Sequence, residues 1–230
     1  MNVVERYLWL KKEVEKLNKE AIIVVVTKYL SDVSVISKLV EVGVVDFGEN
    51  YAQKLEEKIN LLNVSNNIIR WHFIGHLQRN KVKKVVPVCH LIQSLDSIEL
   101  AQKINLEAQK QNKIQKCLIE LKVSQEETKF GIKEEELYKT LDEILNLRLN
   151  NLEIEGIMTM APYFEDPSFT RPYFKKAYNI FCSVKNTYKD KFKNFKILSM
   201  GMSNDYKIAL EEGSNMIRIG SLLFEEKYKL

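Results

Sequence analysis

The chain has 230 residues, of which 45% are hydrophobic and 29% charged, the proportions of an ordinary soluble globular protein. Its net charge of +4 comes from 35 basic and 31 acidic residues that are intermixed along the sequence, so no nucleic-acid partner is predicted. Apolar runs long enough to cross a bilayer are absent from the sequence, and residues 1–20 lack the apolar core of a signal peptide.

In chain order, an amphipathic helix at residues 3–18 is followed by strand-like apolar runs that alternate with helical patterns. The strands are predicted at residues 22–27, 44–47, 71–74, 91–93, 117–123, 154–158, 196–198 and 216–219. The later helices are predicted at residues 33–42, 51–62, 78–86, 98–111, 134–145, 171–188 and 206–212. Strict alternation of eight strands with helices predicts an α/β fold, a (β/α)₈ TIM-type barrel with a leading N-terminal helix.

An open doubly wound sheet is the alternative arrangement of the same elements. That fold usually has a glycine-rich turn after its first strand, whereas residues 28–32 contain no glycine. Because barrels of about this length commonly form one domain, we expect residues 1–230 to be a single domain.

Three scattered cysteines, Cys89, Cys117 and Cys182, form neither a paired framework nor a Cys-x-x-Cys ligand set. This usage is typical of a reducing compartment, so a cytoplasmic protein is expected. His72 and His76 are four residues apart where a predicted strand runs into a loop, and this spacing does not place both on one face. No metal site is therefore predicted.

Lys28 lies at the carboxyl end of the first predicted strand, where ligands bind in parallel α/β folds. A partly desolvated lysine at this position can lose its proton and become an imine-forming nucleophile. The alternative is a strand-end lysine that lies in water.

The loops after the last two predicted strands are where barrels often bind phosphate. The first loop contains Gly201 and Ser203, and the second contains Gly220 and Ser221. Glycine lets backbone amides approach a ligand closely. Because the first and last strands adjoin in a closed barrel, Lys28 is expected beside these loops. An aldehyde-reactive amine next to a phosphate cradle predicts pyridoxal 5′-phosphate (PLP) as the cofactor.

Seven short motifs resemble those of the pyridoxal-phosphate homeostasis proteins, a family similar in fold to the N-terminal barrel of alanine racemase. The resemblance covers nearly the whole chain. The motifs are VTK at residues 26–28, FGENY at 47–51, WHFIGHLQ at 71–78, KFG at 129–131, GIM at 156–158, SMGMS at 199–203 and RIGS at 218–221. Two departures from the family pattern are Lys122, where asparagine is usual, and Glu225, where glycine is usual.

The resemblance implies a role for each matching residue. Lys28 would hold the cofactor as a lysine imine, and Arg218 would face its pyridine nitrogen. The remaining cofactor-binding residues would be Asn50 and His76, which line the pocket, Ser203, Gly220 and Ser221, which hold the phosphate, and Met200 and Gly201 in the same loop.

A guanidinium stays charged and only donates hydrogen bonds, so a pyridine nitrogen facing Arg218 should remain unprotonated. An unprotonated ring is a poor electron sink and stabilises a carbanion weakly. The alternative for Arg218 is a strand-end arginine paired with a nearby acid.

Two functions are carried forward. The first is a PLP-binding protein that takes part in intracellular PLP homeostasis, without turnover, and hands the cofactor to apo-enzymes. The second is a PLP-dependent amino-acid racemase or related lyase. In alanine racemase the second proton-transfer tyrosine comes from an additional β-domain, which we do not expect here because the sequence ends soon after its eighth predicted strand; for the same reason a monomer is expected. A barrel enzyme that uses a Lys28 imine on a phosphorylated metabolite, without cofactor, is a third interpretation.

Overall fold

A computed structural model of the chain describes residues 1–28, 30, 32–62, 68–124 and 130–225. In these ranges, nine strands form one sheet in which every pairing is parallel. The strands are β1 (Ile22–Val26), β2 (Asp46–Glu49), β3 (Arg70–Phe73), β4 (Leu91–Leu95), β5 (Gln115–Lys122), β6 (Ile132–Lys133), β7 (Leu152–Thr159), β8 (Ile197–Ser199) and β9 (Met216–Ile219).

The sheet closes into a barrel. β1 pairs with both β2 and β9, and β4 pairs with β5, so eight strands form a ring in the order β1, β2, β3, β4, β5, β7, β8, β9. The two-residue β6 lies beside the end of β5. The predicted TIM-type barrel is therefore confirmed, and an open doubly wound sheet is excluded because the ring has no open edge. All eight predicted strands are found, with ends within two residues of those predicted.

Helices surround the barrel. They are α1 (Val3–Leu17), α2 (Ser34–Glu41), α3 (Ala52–Leu61), α4 (Val82–Val85), α5 (Ile98–Lys110), α6 (Glu134–Asn146), α7 (Arg171–Thr187), α8 (Tyr206–Glu211) and α9 (Ser221–Phe224). The predicted leading helix α1 is confirmed, and its first turn is fixed by a capping box between Asn2 and Glu5. Over the described residues, no helix combines the length and the apolar character needed to span a membrane.

Side chains alternate between two apolar layers along each strand. The outer layer lies between strands and helices and includes Phe47, Phe73 and Phe174, all fully buried. The inner layer fills the barrel with Val24, Leu91, Leu118, Met158, Ile197 and Met216. Two residues farther along their strands, the same inward positions hold Gln93, Glu120, Ser199 and Arg218. The barrel interior is therefore apolar at one level along the barrel axis and polar at the next level, which is nearer to the carboxyl ends of the strands.

One predicted element differs from the structure, and two short elements were not predicted. The helix predicted at residues 78–86 is a 3₁₀ turn, Arg79–Lys81, followed by α4, because Gln78 is extended and Pro87 offers no N–H to continue the helix. The short elements β6 and α9 were not predicted, since two to four residues show no period. Tyr29, Ser31 and Lys129, which belong to predicted loops and motifs, lie outside the described residues.

Candidate functional site

The predicted site residues gather at one rim of the barrel. Lys28 follows β1, Asn50 follows β2, Ser203 follows β8, and Gly220 and Ser221 follow β9. All strands are parallel, so these carboxyl ends lie on the same side of the molecule. Because β1 pairs with β9, Lys28 and the Gly220 loop are neighbours.

The backbone that leads to Lys28 is held by a buried ion pair between Lys58 of α3 and Glu49 of β2, whose side chains are 6% and 0% exposed. Lys58 Nζ also donates to the carbonyl oxygen of Thr27 at 2.6 Å and to its hydroxyl at 3.3 Å. The three protons of the ammonium thus have three acceptors, two of them on Thr27. This arrangement fixes the residue that precedes Lys28.

Both oxygens of the Glu49 carboxylate also accept hydrogen bonds. One oxygen accepts hydrogen bonds from Lys58 and from the Thr27 hydroxyl, the latter at 3.2 Å. The other accepts from the backbone N–H groups of Asn50 at 2.8 Å and Tyr51 at 3.3 Å, at the start of α3. Four donors thus surround this buried carboxylate. The Lys58–Glu49 pair therefore links the end of β1 to the start of α3.

The loops after β8 and β9 are joined through Ser203. Its hydroxyl oxygen accepts from the backbone N–H groups of Gly220 at 3.3 Å and Leu222 at 3.1 Å. A Cβ atom at Gly220 would lie 3.3 Å from Cβ of Val26, two residues before Lys28. Two amides that converge on one oxygen atom, close to the end of β1, form a cradle suited to an oxyanion.

Gly201 and Met200 shape the first of these loops. Gly201 has a φ of +96°, and a Cβ atom there would lie 2.5 Å from Cβ of Ala209, so only glycine fits without a shift. The Met200 side chain is fully buried in the outer apolar layer, and its backbone N–H and C=O bond to Met216 and Ser214. These contacts give Met200 a packing role, and its predicted part in cofactor binding stays a prediction.

Asn50 and His76 follow β2 and β3, the two strands next to β1 on the side away from β9. The side-chain oxygen of Asn50 is buried and accepts no hydrogen bond from any described residue, which makes it available to a ligand donor. His76 is exposed, stacks on Phe130 with ring centroids 3.8 Å apart, and places Nδ1 3.1 Å from a carboxylate oxygen of Asp96. Its predicted pocket-lining role remains a prediction.

Arg218 lies inside the barrel and is 4% exposed. One of its terminal nitrogens donates to the Ser199 hydroxyl at 2.7 Å, and the other donates to the carbonyl oxygen of Thr159 at 2.9 Å. Burial lowers the pKa of Arg218 to about 10, while the carboxylates of Asp205 and Glu120 act to raise it. The guanidinium remains charged at neutral pH, and among the described residues it forms no ion pair with a carboxylate. The paired arginine considered from the sequence is thus not found in the described part of the chain.

Glu120 of β5 faces the same interior and is 4% exposed. Burial, reinforced by the charge of Asp96, raises the pKa of Glu120 to about 7, and Arg218 partly offsets this shift. One carboxyl oxygen accepts no hydrogen bond from the residues the structure describes. The site therefore contains a carboxyl group that changes charge near neutral pH.

Sequence reasoning missed Thr27, Glu49 and Lys58 as a group, as well as Glu120. Lys58 offered a signal, because it lies three residues after Leu55 on the apolar side of α3, where a lysine is unexpected. Glu120 interrupts an apolar strand in a similar way.

Across the described ranges, no three side chains of His, Cys, Asp or Glu are grouped so that they could hold a metal ion.

Comparison with known proteins places this geometry in a family. The chain matches the family described as alanine racemase, N-terminal domain, over residues 2–227. It is 40% identical over 193 residues to the pyridoxal phosphate homeostasis protein of Aquifex aeolicus, with 84% of this chain and 82% of the relative covered. The chain is also 36% identical over 192 residues to the human pyridoxal phosphate homeostasis protein, with 79% of this chain and 68% of the relative covered.

Among solved structures, PipY of Synechococcus elongatus with PLP bound superposes with a TM-score of 0.86 at 27% identity, covering 97% of this chain and 100% of that one. The chain therefore belongs to the pyridoxal phosphate homeostasis protein family, within the alanine racemase N-terminal domain fold.

Proposed function

We propose that this protein binds PLP through a covalent bond to Lys28 and takes part in PLP homeostasis by holding the cofactor, without turnover. The observation that carries the proposal is the position of Lys28, two residues from Val26, which itself lies 3.3 Å from where a Cβ of Gly220 would be. A reactive amine and an oxyanion cradle thus share one corner of the barrel. The names of the relatives and the PLP-bound PipY support the identity of the ligand.

The residues present suit PLP in three respects. The cradle formed by Ser203 and the Gly220 amide suits a phosphate, with Ser221 beside it. The unpartnered oxygen of Asn50 offers an acceptor at the rim. When bound, PLP supplies an aldehyde that condenses reversibly with an amine.

Lys28 would hold PLP by supplying the amine for this condensation, in which one water molecule would be lost. The Lys58–Glu49 pair contributes by fixing Thr27. The strand end that carries the amine is therefore already ordered before the cofactor enters, and binding does not have to meet that entropic cost.

Arg218 is the reason to favour a holder over a racemase. It is proposed to face the pyridine nitrogen, where it can only donate a hydrogen bond. A ring nitrogen that accepts from a guanidinium stays unprotonated, and an unprotonated ring stabilises a carbanion poorly. The same arrangement suits stable retention of the cofactor.

The covalent bond is tested by absorption spectroscopy of the protein with added PLP. We expect a visible band that borohydride removes, absent from Lys28→Ala and retained in Lys54→Ala. Lys54 is the matched control because its Nζ donates to the carbonyl oxygen of Lys28 at 3.3 Å, so it is a second amine near the proposed site. Wild-type protein that takes up no PLP would overturn the proposal.

Turnover is tested by incubating the PLP-loaded protein with amino acids in heavy water and following exchange at Cα. We expect no exchange above that of free PLP. Rapid exchange with defined stereochemistry would instead assign a racemase or a related lyase.

We further propose that the protein is a cytoplasmic monomer from which apo-enzymes take up the cofactor. After incubation with a recipient apo-enzyme and separation of the two proteins, this protein should have lost its visible band, and sedimentation should give the mass of one chain. A persistent band would contradict transfer, and a larger mass would contradict the monomer.

A further inference from the structure

A continuous line of hydrogen bonds crosses the barrel interior and ends at Arg218. From Arg218 it passes to the hydroxyl of Ser199 at 2.7 Å, which lies 2.7 Å from Oε1 of Gln93. Nε2 of Gln93 lies 3.0 Å from Nδ1 of His72, and Nε2 of His72 lies 2.9 Å from Oδ1 of Asp46. We call these five residues the interior chain.

The interior chain is buried along its whole length. Its members come from β9, β8, β4, β3 and β2, and none is more than 7% exposed. At the far end, Arg70 donates to the second carboxylate oxygen of Asp46 at 2.5 Å. Burial of Asp46 acts to raise its pKa, but the hydrogen bonds from His72 and Arg70 lower it overall. The chain therefore ends on a carboxylate that is ionised at neutral pH.

With the Gln93 amide oriented so that its oxygen faces Ser199, the two ends of the interior chain fix the direction of every bond. Arginine can only donate and an ionised aspartate can only accept. Ser199 accepts from Arg218, so its hydroxyl donates to the Gln93 oxygen. The Gln93 amide then donates to Nδ1 of His72, which leaves the His72 proton on Nε2, where it is donated to Asp46. All bond dipoles point the same way, from the guanidinium to the carboxylate.

This direction has an electrostatic consequence for Arg218. A buried charge without an ion pair is costly unless hydrogen-bonded groups stabilise it. The interior chain supplies aligned dipoles that end on a negative charge, and these stabilise Arg218 in addition to the more distant charges of Asp205 and Glu120. A glutamine amide does not exchange protons readily, so the chain orients groups and does not conduct protons.

We propose that Asp46, His72, Gln93 and Ser199 are positioning residues that hold the Arg218 guanidinium in place and in its charged form. The inference rests on the proposed function in one respect, that Arg218 faces the pyridine nitrogen of PLP. A carboxylate moved next to Arg218 would stabilise its charge equally well but would also attract a proton to the ring. The interior chain holds the Asp46 carboxylate four hydrogen bonds away from Arg218.

The first test is nitrogen NMR of the protein without PLP. We expect the His72 proton on Nε2, and slow exchange of the Arg218 guanidinium protons. Gln93→Met removes the middle of the chain without touching Arg218, and should speed that exchange about tenfold, since a hydrogen bond to a charged group is lost one link away. Ser94→Ala is the matched control, because the Ser94 hydroxyl is buried beside Gln93 and has no hydrogen-bond partner among described residues.

The second test is PLP affinity. Ser199→Ala should weaken binding about tenfold. The Gln93→Met/Ser199→Ala double variant should bind no more weakly than Ser199→Ala alone, because the chain is already broken. Independent effects that multiply, or Arg218 exchange unchanged by Gln93→Met, would overturn the inference.

Two outcomes keep this inference separate from the proposed function. If wild-type protein binds no PLP, the proposed function fails, while the NMR measurements still decide the interior chain. If the variants do not fold, the wild-type His72 tautomer decides: a proton on Nε2 supports the chain, and a proton on Nδ1 overturns it.

Discussion

The two residues proposed to contact the two reactive parts of the cofactor, Lys28 and Arg218, are supported in opposite ways. The strand end that carries Lys28 is anchored by a buried ion pair between Lys58 and Glu49, which act on the backbone of Thr27. Arg218 is anchored through its side chain by uncharged groups, and the nearest link in that chain is Ser199.

This difference corresponds to the chemistry expected of each residue. The proposed role of Lys28 is to form a covalent bond through its side chain, and the structure supports it through the backbone of the preceding residue, Thr27. Arg218 must keep its charge and direction, so hydrogen bonds hold its guanidinium. An ion pair placed on Arg218 would bring a carboxylate near the pyridine nitrogen, whereas the Lys58–Glu49 pair is directed at the backbone of Thr27.

Breaking the ion pair should have the largest effect on stability. Lys58→Met leaves Glu49 buried without its cation and should lower the free energy of unfolding by about 3 to 5 kcal/mol, measured by urea denaturation. The Glu49→Gln/Lys58→Met double variant removes both charges and should recover much of this loss. A loss below about 1 kcal/mol in the single variant would show that the pair is not a structural anchor.

Substitution of Glu120 is expected to have the next largest effect on the free energy of unfolding, and this effect depends on pH. Its pKa rises from 4.5 to about 7 on folding, so the stability it contributes is full below pH 4.5 and is lost as pH rises through 7. Glu120→Gln should therefore be more stable than wild type by about 3 kcal/mol at pH 8.5 and equally stable at pH 4.5. Urea denaturation at both pH values measures this, and an equal difference at the two would contradict it.

The phosphate cradle should show intermediate effects on ligand retention. Ser203→Ala and Ser221→Ala should each weaken PLP binding by about 1 to 3 kcal/mol, because each removes a hydrogen bond to a charged group. Equilibrium titration with PLP measures the change. Wild-type retention in both variants would mean that the phosphate lies elsewhere.

The smallest effect is expected at Thr27, which is fully buried. Thr27→Val keeps the shape but removes the hydroxyl that lies 3.3 Å from Lys58 Nζ, and should cost about 1 kcal/mol of unfolding free energy. In a Lys58→Met background the cost should shrink, because the two residues share that bond. Costs that simply add would show that Thr27 acts apart from the ion pair.

The barrel could be predicted from the sequence because its signals are local. Each strand is a short apolar run and each longer helix has its own period, so alternation alone gave eight units in order. The candidate site residues were placed on strand ends by the same reasoning. Elements of two to four residues, such as β6 and α9, carry no period and were missed.

The hydrogen bonds and the ion pair around the site could not be predicted, because they form only when the barrel closes. Asp46, His72 and Gln93 lie on three successive strands, and nothing in their spacing shows that their side chains share one interior. Ser199 is more than one hundred residues from Gln93 in sequence, and the two meet only when the ring closes. Lys58 was predicted as part of an amphipathic helix, and its partner on β2 became visible only in three dimensions.

The covalent assignment to Lys28 is tested most directly by mass spectrometry of peptides from PLP-loaded protein reduced with borohydride. A single modified peptide is expected, with the reduced adduct on Lys28 and none on Lys54. An adduct on another residue, or no adduct in protein that has bound PLP, would contradict the account.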